Sequence, residues 1–356
     1  MLSRVFPAPK FLSMDVCGLD ISSHMLRFVE LSPCKGHSTK SFIPVRWGAQ
    51  PLSDGIVVGG EIANKDGLVN ALKAFKKAHG LNFVKVSLPE EKAYLFKTTV
   101  PTIEESEFAD AAAFTLEENV PISGADALME WDVVERRAAE TSLSVSVIPR
   151  QTAAAFLDAL RAAGLTPVAF DIRVRAMAKA AIPKDDPRNF MIVSIGETKT
   201  MLCIVSNGVA QFTSTVFIGA SAFTSAIQKS RNCALEEAQA LRNSTNFLQS
   251  ADTDGKAIKQ EFMTTLERLD QEIRRVYAYW YMRKDNDEKT KKINALVVMG
   301  EGALMPGLVD YMSAHQDVPV EVANVWQNCF SLDAYIPEIP FEESIQYCAA
   351  IGLALP

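Results

Sequence analysis

The chain has 356 residues, 48% of them hydrophobic and 22% charged, with a net charge of −7. That length exceeds the usual single hydrophobic core, so two lobes are expected, and the composition is that of a globular protein. The acidic balance and the lack of any long Lys/Arg run exclude nucleic acid as a natural partner. Six cysteines (17, 34, 203, 233, 329, 348) lie far apart with no CxxC pair. Cys17, Cys203, Cys233 and Cys348 stand in apolar surroundings, which reads as buried thiols in a reducing compartment, with neither a disulfide framework nor a zinc site.

Residues 1–15 include Arg4, Lys10, Asp15 and two prolines, and hold no apolar core of signal-peptide length. No stretch reaches the roughly 18–20 apolar residues that cross a bilayer. The sequence closes on Ala354-Leu355-Pro356 without an amphipathic or basic tail. Direct membrane insertion is not expected, and any membrane association runs through a partner.

The first patterned segment, from Met14 to Leu31, is a strand, a polar turn at Ser22–His24 and a second strand alternating through Leu26, Phe28 and Leu31. Lys65–Gly80 has helical spacing through Leu68, Leu72 and Phe75 and stops at glycine. Val84–Leu88 and Ala93–Thr99 are strand-like. Ile103–Asn119 has a helix pattern, with Glu104 and Glu105 in its first turn where the helix dipole favours them, and Pro121 ends it. Ala127–Glu135 and Leu143–Ile148 read as strands, and Gln151–Ala163 as a helix closed by Gly164.

The opening pattern then returns from Met191 to Gly208 as strand, polar turn and strand, with Asn207-Gly208 a type I′ hairpin signal into Ala210–Val216. A strand–turn–strand unit met twice implies duplicated lobes whose turns face a shared cleft; two unrelated hairpins are the plainer alternative. Helices are expected at Leu235–Leu248 and Lys256–Lys284. The second carries Ile258, Phe262, Leu266, Leu269, Ile273, Val276 and Trp280 on one stripe. Asp285–Lys292 is a polar connection, Ala295–Gly300 a strand, Pro306–Ala314 a helix and Ser344–Leu355 a closing helix.

Four segments fall in the order used by the actin, Hsp70 and sugar-kinase superfamily. Gly18-Leu-Asp-Ile-Ser-Ser-His24 resembles its first phosphate loop and Ser194-Ile-Gly-Glu-Thr-Lys-Thr200 the second. Met299-Gly-Glu-Gly-Ala-Leu304 resembles the adenosine loop and Ala349-Ala-Ile-Gly-Leu-Ala354 the closing helix. Leu88-Pro-Glu-Glu, Val100–Phe108, Leu116–Ile122 and Ala162–Val168 narrow the resemblance to the PilM family, the pilus-assembly members of the FtsA branch. Ala303–Val309 and Val318–Asn324 follow that family's ending. The resemblance spans residues 14–355.

That resemblance implies an α/β protein of actin-like ATPase fold, with two duplicated RNase H-like lobes and an inserted FtsA-type 1C subdomain. Residues 14–83 and 165–187 would form lobe 1 (1A), and 84–164 the insertion. Residues 188–220 and 291–343 would form lobe 2 (2A), 221–290 a helical 2B subdomain and 344–356 the closing helix. It also implies a cytoplasmic adaptor of type IV pilus, secretion or competence assembly. Such an adaptor binds the N-terminal peptide of a PilN-like inner-membrane protein in a groove between 1A and 1C. Further pilus motor or platform components are possible partners, and residues near Val100–Pro121 are candidates for the groove. An active ATPase or kinase and an FtsA-like division filament are the alternatives on the same scaffold.

The implied cofactor is ATP or ADP with Mg²⁺, weakened or lost where the loops depart from the pattern. Nucleotide contacts would come from Asp20, Ser22, Ser23, His24, Gly196, Thr198, Thr200, Gln239, Arg242, Gly300, Glu301 and Gly302. Asp20 would hold the metal through water, or else pair as a strand-end acid with a local basic group. Relatives have glycine where Ser22 stands and aspartate where Ser194 stands, and a serine brings no charge to metal or attacking water. Efficient hydrolysis is therefore not expected. Glu197 is expected to face solvent. Gln239 and Arg242 lie three apart, facing the ribose and base or else an exposed helix side. His24 reads as a turn histidine capping backbone, and His37, His79 and His315 as isolated. Tyr277, Tyr279, Trp280 and Tyr281 read as helix packing.

Overall fold

The computed structural model describes residues 16–34, 41–101, 103–250, 253–283 and 292–356. The expectations for residues 1–15, for His37, for Lys284 and for most of the 285–292 connection lie outside these residues.

The chain opens with the expected hairpin, β1 (Val16–Ile21) and β2 (Met25–Pro33), followed by β3 (Phe42–Pro51) and a short pair, β4 (Val57–Val58) and β5 (Glu61–Ile62). Helix α1 (Lys65–His79) begins where the Asn64 side chain accepts from the Gly67 N–H, and ends at Gly80 in the left-handed region. Next come β6 (Phe83–Leu88) and β7 (Tyr94–Pro101). The helix expected over Ile103–Asn119 is broken. A Glu104–Glu107 capping box starts a single 3₁₀ turn, α2 (Phe108–Phe114) follows, and α3 (Leu116–Asn119) restarts after Thr115. Strands β8 (Ala127–Arg136) and β9 (Glu140–Pro149) lead through α4 (Arg150–Ala162) and β10 (Thr166–Ile172) to α5 (Arg173–Ala181).

The second half runs β11 (Asn189–Ile195), β12 (Thr200–Ser206), β13 (Val209–Val216), α6 (Ala220–Arg231), α7 (Leu235–Ser244) and α8 (Thr253–Met282). It ends with β14 (Ala295–Met299), α9 (Leu308–His315), β15 (Val320–Val322), α10 (Phe341–Ser344) and α11 (Cys348–Ala354).

Two five-stranded sheets share one plan, β10-β6-β1-β2-β3 and β13-β12-β11-β14-β15. In each, an antiparallel meander is extended by two parallel strands on the side of its first strand. The duplication read from the two hairpins is thus a duplication of topology. A third sheet, β7-β9-β8, is inserted in the first half and has its own core around Phe108, Leu143 and Val145.

The β12–β13 turn places Asn207 at φ 52° and Gly208 at φ 75°, the two left-handed positions of a type I′ turn. A Cβ on Gly208 would meet nothing within 4 Å. Gly208→Ala is therefore expected to cost only the backbone term, about 1 kcal/mol, read as a shift in urea midpoint at constant slope.

Helix α8 buries its stripe as expected, from Ile258 and Phe262 to Trp280. The aromatic group at its end divides, because only Trp280 is fully buried while Tyr279 and Tyr281 are about half exposed. Of the thiols read as buried, Cys233 is only partly so, and Cys329 is buried instead. Burial pushes Cys17 and Cys329 up to about 12, which leaves them inert as nucleophiles.

Helices α5 and α11 join the lobes. Val174, Met177, Ala178 and Cys348–Ile351 share the apolar cluster of the second lobe, although β10 and β1 belong to the first sheet. Their approach is close enough that two glycines are required. A Cβ on Gly18 of β1 would strike the Ala350 carbonyl of α11, and one on Gly352 would strike the Ala176 carbonyl of α5.

Candidate functional site

The two hairpin turns, Ser22–His24 and Gly196–Lys199, face one another across the junction of the lobes. Between them lies a cavity of about 50 Å³, bordered also by Arg27, Glu90, Arg173, Ser194, Gly300 and Glu301. Of the residues expected to contact nucleotide, Ser22, Ser23, His24, Gly196, Thr198, Gly300 and Glu301 line it. Asp20, Thr200, Gln239, Arg242 and Gly302 do not.

Each turn is closed by its own polar groups. The Ser22 hydroxyl donates to the Met25 carbonyl at 3.0 Å and accepts from the N–H groups of Met25 at 3.0 Å and His24 at 3.4 Å. The Gly196 N–H donates to the Lys199 carbonyl at 2.9 Å. Thr200 is fully buried, its hydroxyl donating to the Ile218 carbonyl at 2.7 Å. His24 bridges rather than caps: its ring nitrogens stand 3.2 Å from Asp54 and 3.3 Å from the Thr198 hydroxyl of the other lobe.

Asp20 is 1% exposed. It accepts from the Ser87 hydroxyl at 2.8 Å and from Arg173 Nη2 at 3.1 Å. Of its two expected roles, pairing with a basic group is the one observed. Glu197 is half-buried rather than turned freely to solvent, and accepts from Arg242 Nη1 at 3.3 Å. Arg242, 5% exposed, also donates to the Thr224 hydroxyl at 2.9 Å and to Asn243, so it does not lie on an exposed face and its guanidinium is engaged within the protein. Gln239 is half-buried. Gly302 packs against the Ile195 side chain.

Five charged groups that sequence reasoning did not single out, Arg27, Glu90, Glu91, Arg173 and Lys199, complete the cleft. Arg27 pairs with Glu301, and Lys199 with Glu91 and, at 3.1 Å, with Glu90. Both pairs cross from one lobe to the other. Burial alone would raise the Glu90 carboxyl, but Lys199 and then Arg173 outweigh it and hold the group below its ordinary value. Burial likewise opposes the charge on Arg173, and Asp20 followed by Glu90, Glu91 and Glu301 more than restores it. Glu90, Glu91 and Lys199 lay inside segments already singled out. Arg173 sits at the start of an ordinary amphipathic helix and gave no signal.

The donor set does not fit magnesium, which takes oxygen ligands in near-octahedral geometry. The single carboxylate at the expected place is committed to a guanidinium, and Ser194 adds no charge. Among the described residues no cluster of His, Cys, Asp or Glu suits a metal.

A wider cavity of about 660 Å³ opens elsewhere, between β10 and α5 of the first lobe, β8 of the inserted sheet and the Asn207–Ala210 turn of the second lobe. Arg175 organises it, with Nη1 at 2.5 Å from Glu130, Nη2 at 2.9 Å from Asp132 and Nη1 at 3.4 Å from Asp171. Burial raises the Asp171 and Asp132 carboxyls, against the pull of Arg175. Lys85 and Lys179 both donate to the Leu355 carbonyl, at 2.9 and 3.1 Å, and burial lowers both amines. The described residues of Val100–Pro121 border neither cavity.

Among the described residues no helix is long and apolar enough to cross a membrane. The family model described as "Type IV pilus assembly protein PilM" matches residues 18–356. No curated protein matches the sequence. A chain of the solved PilM–PilN type IV pilus biogenesis complex is similar at 20% identity and TM-score 0.75, over 96% of this chain and 98% of that one. The ethanolamine utilization protein EutJ from Carboxydothermus hydrogenoformans follows at 15% identity and TM-score 0.55, over 95% and 88%. MreB5 of Spiroplasma citri, solved with AMPPNP, is similar at 12% identity and TM-score 0.54, over 95% and 94%. These likenesses establish the actin-like fold.

Proposed function

The chain belongs to the PilM family of type IV pilus assembly proteins, and from that premise we propose that it is an assembly adaptor binding the N-terminal peptide of a PilN-like inner-membrane protein. On this reading the β7-β9-β8 sheet with α2 and α3 is subdomain 1C, and the protein reaches the inner-membrane face through that partner. The observation that supports it best is the 660 Å³ cavity where the first lobe, β8 of the insertion and the Asn207–Ala210 turn of the second lobe meet. Strands β8 and β10 are both sheet edges, and each contributes a residue to the cavity, Asp132 and Asp171. An extended peptide laid there gains backbone pairing from an edge and side-chain contacts from the walls. ATP or ADP is at most a weak ligand of the other cleft on this reading, without efficient turnover, because Asp20, Thr200 and Arg242 are committed to protein partners.

Calorimetry with a synthetic peptide from the N-terminus of a PilN-like inner-membrane protein tests the adaptor role. Saturable heat is expected, with Arg175→Ala weakening binding about tenfold, the order expected for a charged hydrogen-bonding group. No complex with the wild-type chain would remove the adaptor reading.

A further inference from the structure

Seven charged side chains meet at the cleft: Asp20, Arg27, Glu90, Glu91, Arg173, Lys199 and Glu301. All are largely buried, from 1% exposure of the side chain at Asp20 to 21% at Glu301. Groups so placed are costly to desolvate, so each needs a partner within the protein or a ligand. The partners are in the protein. Arg173 stands against Asp20, and its field extends to Glu90, Glu91 and Glu301. Arg27 takes Glu301 and also reaches Gln346 at 3.2 Å. Lys199 takes both Glu90 and Glu91.

We propose that Arg173 is the built-in cation of this cleft, occupying beside Asp20 the charge role of a divalent metal. With it, the Arg27–Glu301 and Lys199–Glu90/Glu91 pairs form a clasp that keeps the lobes closed without metal or nucleotide. The proposal rests on the positions of these charges and stands apart from the peptide site. An entering polyphosphate competes for Lys199 and Arg27, and every guanidinium or ammonium it captures strips a buried carboxylate of its partner. Glu90 and Glu91 each already have one buried oxygen without a hydrogen bond. A divalent ion in turn has to displace Arg173, because Ser194 offers it no second carboxylate. The clasp therefore resists both halves of a metal–nucleotide, and the fold retains its closed form as a fixed shape rather than a switched one.

Thermal unfolding and small-angle scattering of the full chain in EDTA, in MgCl₂, in ATP and in Mg-ATP test this. The unfolding midpoint is expected to move by less than about 1 °C across the four conditions, with an unchanged radius of gyration; saturating a fitted site moves such a midpoint by several degrees. A rise of several degrees in ATP or in Mg-ATP would overturn the proposal. In Arg173→Met, the bared Asp20 carboxylate is expected to lower the midpoint and to create a Mg²⁺-dependent recovery that the wild type lacks. The Asp20→Asn/Arg173→Met pair removes both charges and is expected to regain stability with no Mg²⁺ response. A folded Arg173→Met protein indifferent to Mg²⁺ would also overturn it. If Arg173→Met does not fold, the wild-type comparison decides alone.

Discussion

Gly352→Ala is expected to destabilise the protein by about 3 kcal/mol or more, the upper end for overpacking a core. The added methyl would occupy the space of the Ala176 carbonyl, which is backbone and has no rotamer to yield. Relief requires α11 to lift from α5, and these helices carry the apolar cluster that joins the lobes. Gly208→Ala supplies the contrast, since its cost is conformational alone. Urea unfolding followed by circular dichroism reads both, and a Gly352→Ala midpoint within error of the wild type would show that the helices are not in contact as described.

Asp20→Ala should be at least as damaging, by about 3–5 kcal/mol, because it leaves Arg173 buried beside an empty place. A carboxylate that served only to hold magnesium would behave otherwise: its removal would abolish phosphate release and leave the apo protein as stable as before. The expected result is therefore a large loss of stability with phosphate release at background in both proteins. Turnover in the wild type that Asp20→Ala eliminates, at unchanged stability, would favour the ATPase reading.

The duplication was legible because each hairpin is written locally, as alternating strands around a polar turn and, at Asn207-Gly208, as a turn that demands two left-handed residues. Strand β3 escaped notice since Pro44 and Pro51 and the run Arg46-Trp47 interrupt its alternation. Strand β10 and helix α5 were read only as part of the 165–187 stretch assigned to lobe 1. The break after Phe114 was hidden because nothing about Thr115 in isolation forbids a continuous helix. At the cleft, the loops were legible but their partners were not. Asp20 and Arg173 are 153 residues apart, and Arg27 and Glu301 are 274 apart. No spacing rule connects such pairs, and the departures at Ser22 and Ser194 signalled an altered site without saying which charges surround it. Glu197 was expected in solvent, and Arg242 at the base or on an exposed helix side, for the same reason: each was read without the other.

The inserted sheet has one more effect. Ser144 of β9 donates to the Ala210 carbonyl of β13 at 2.6 Å, and Asn207 reaches Val134 of β8 at 3.2 Å. Strand β13 is an outer strand of the second sheet, yet none of its residues is exposed. An uncovered outer strand offers a row of backbone groups on which another copy can template itself. Here the insertion lies over that row, so the part of the chain read as recruiting a partner also denies this edge to unwanted copies.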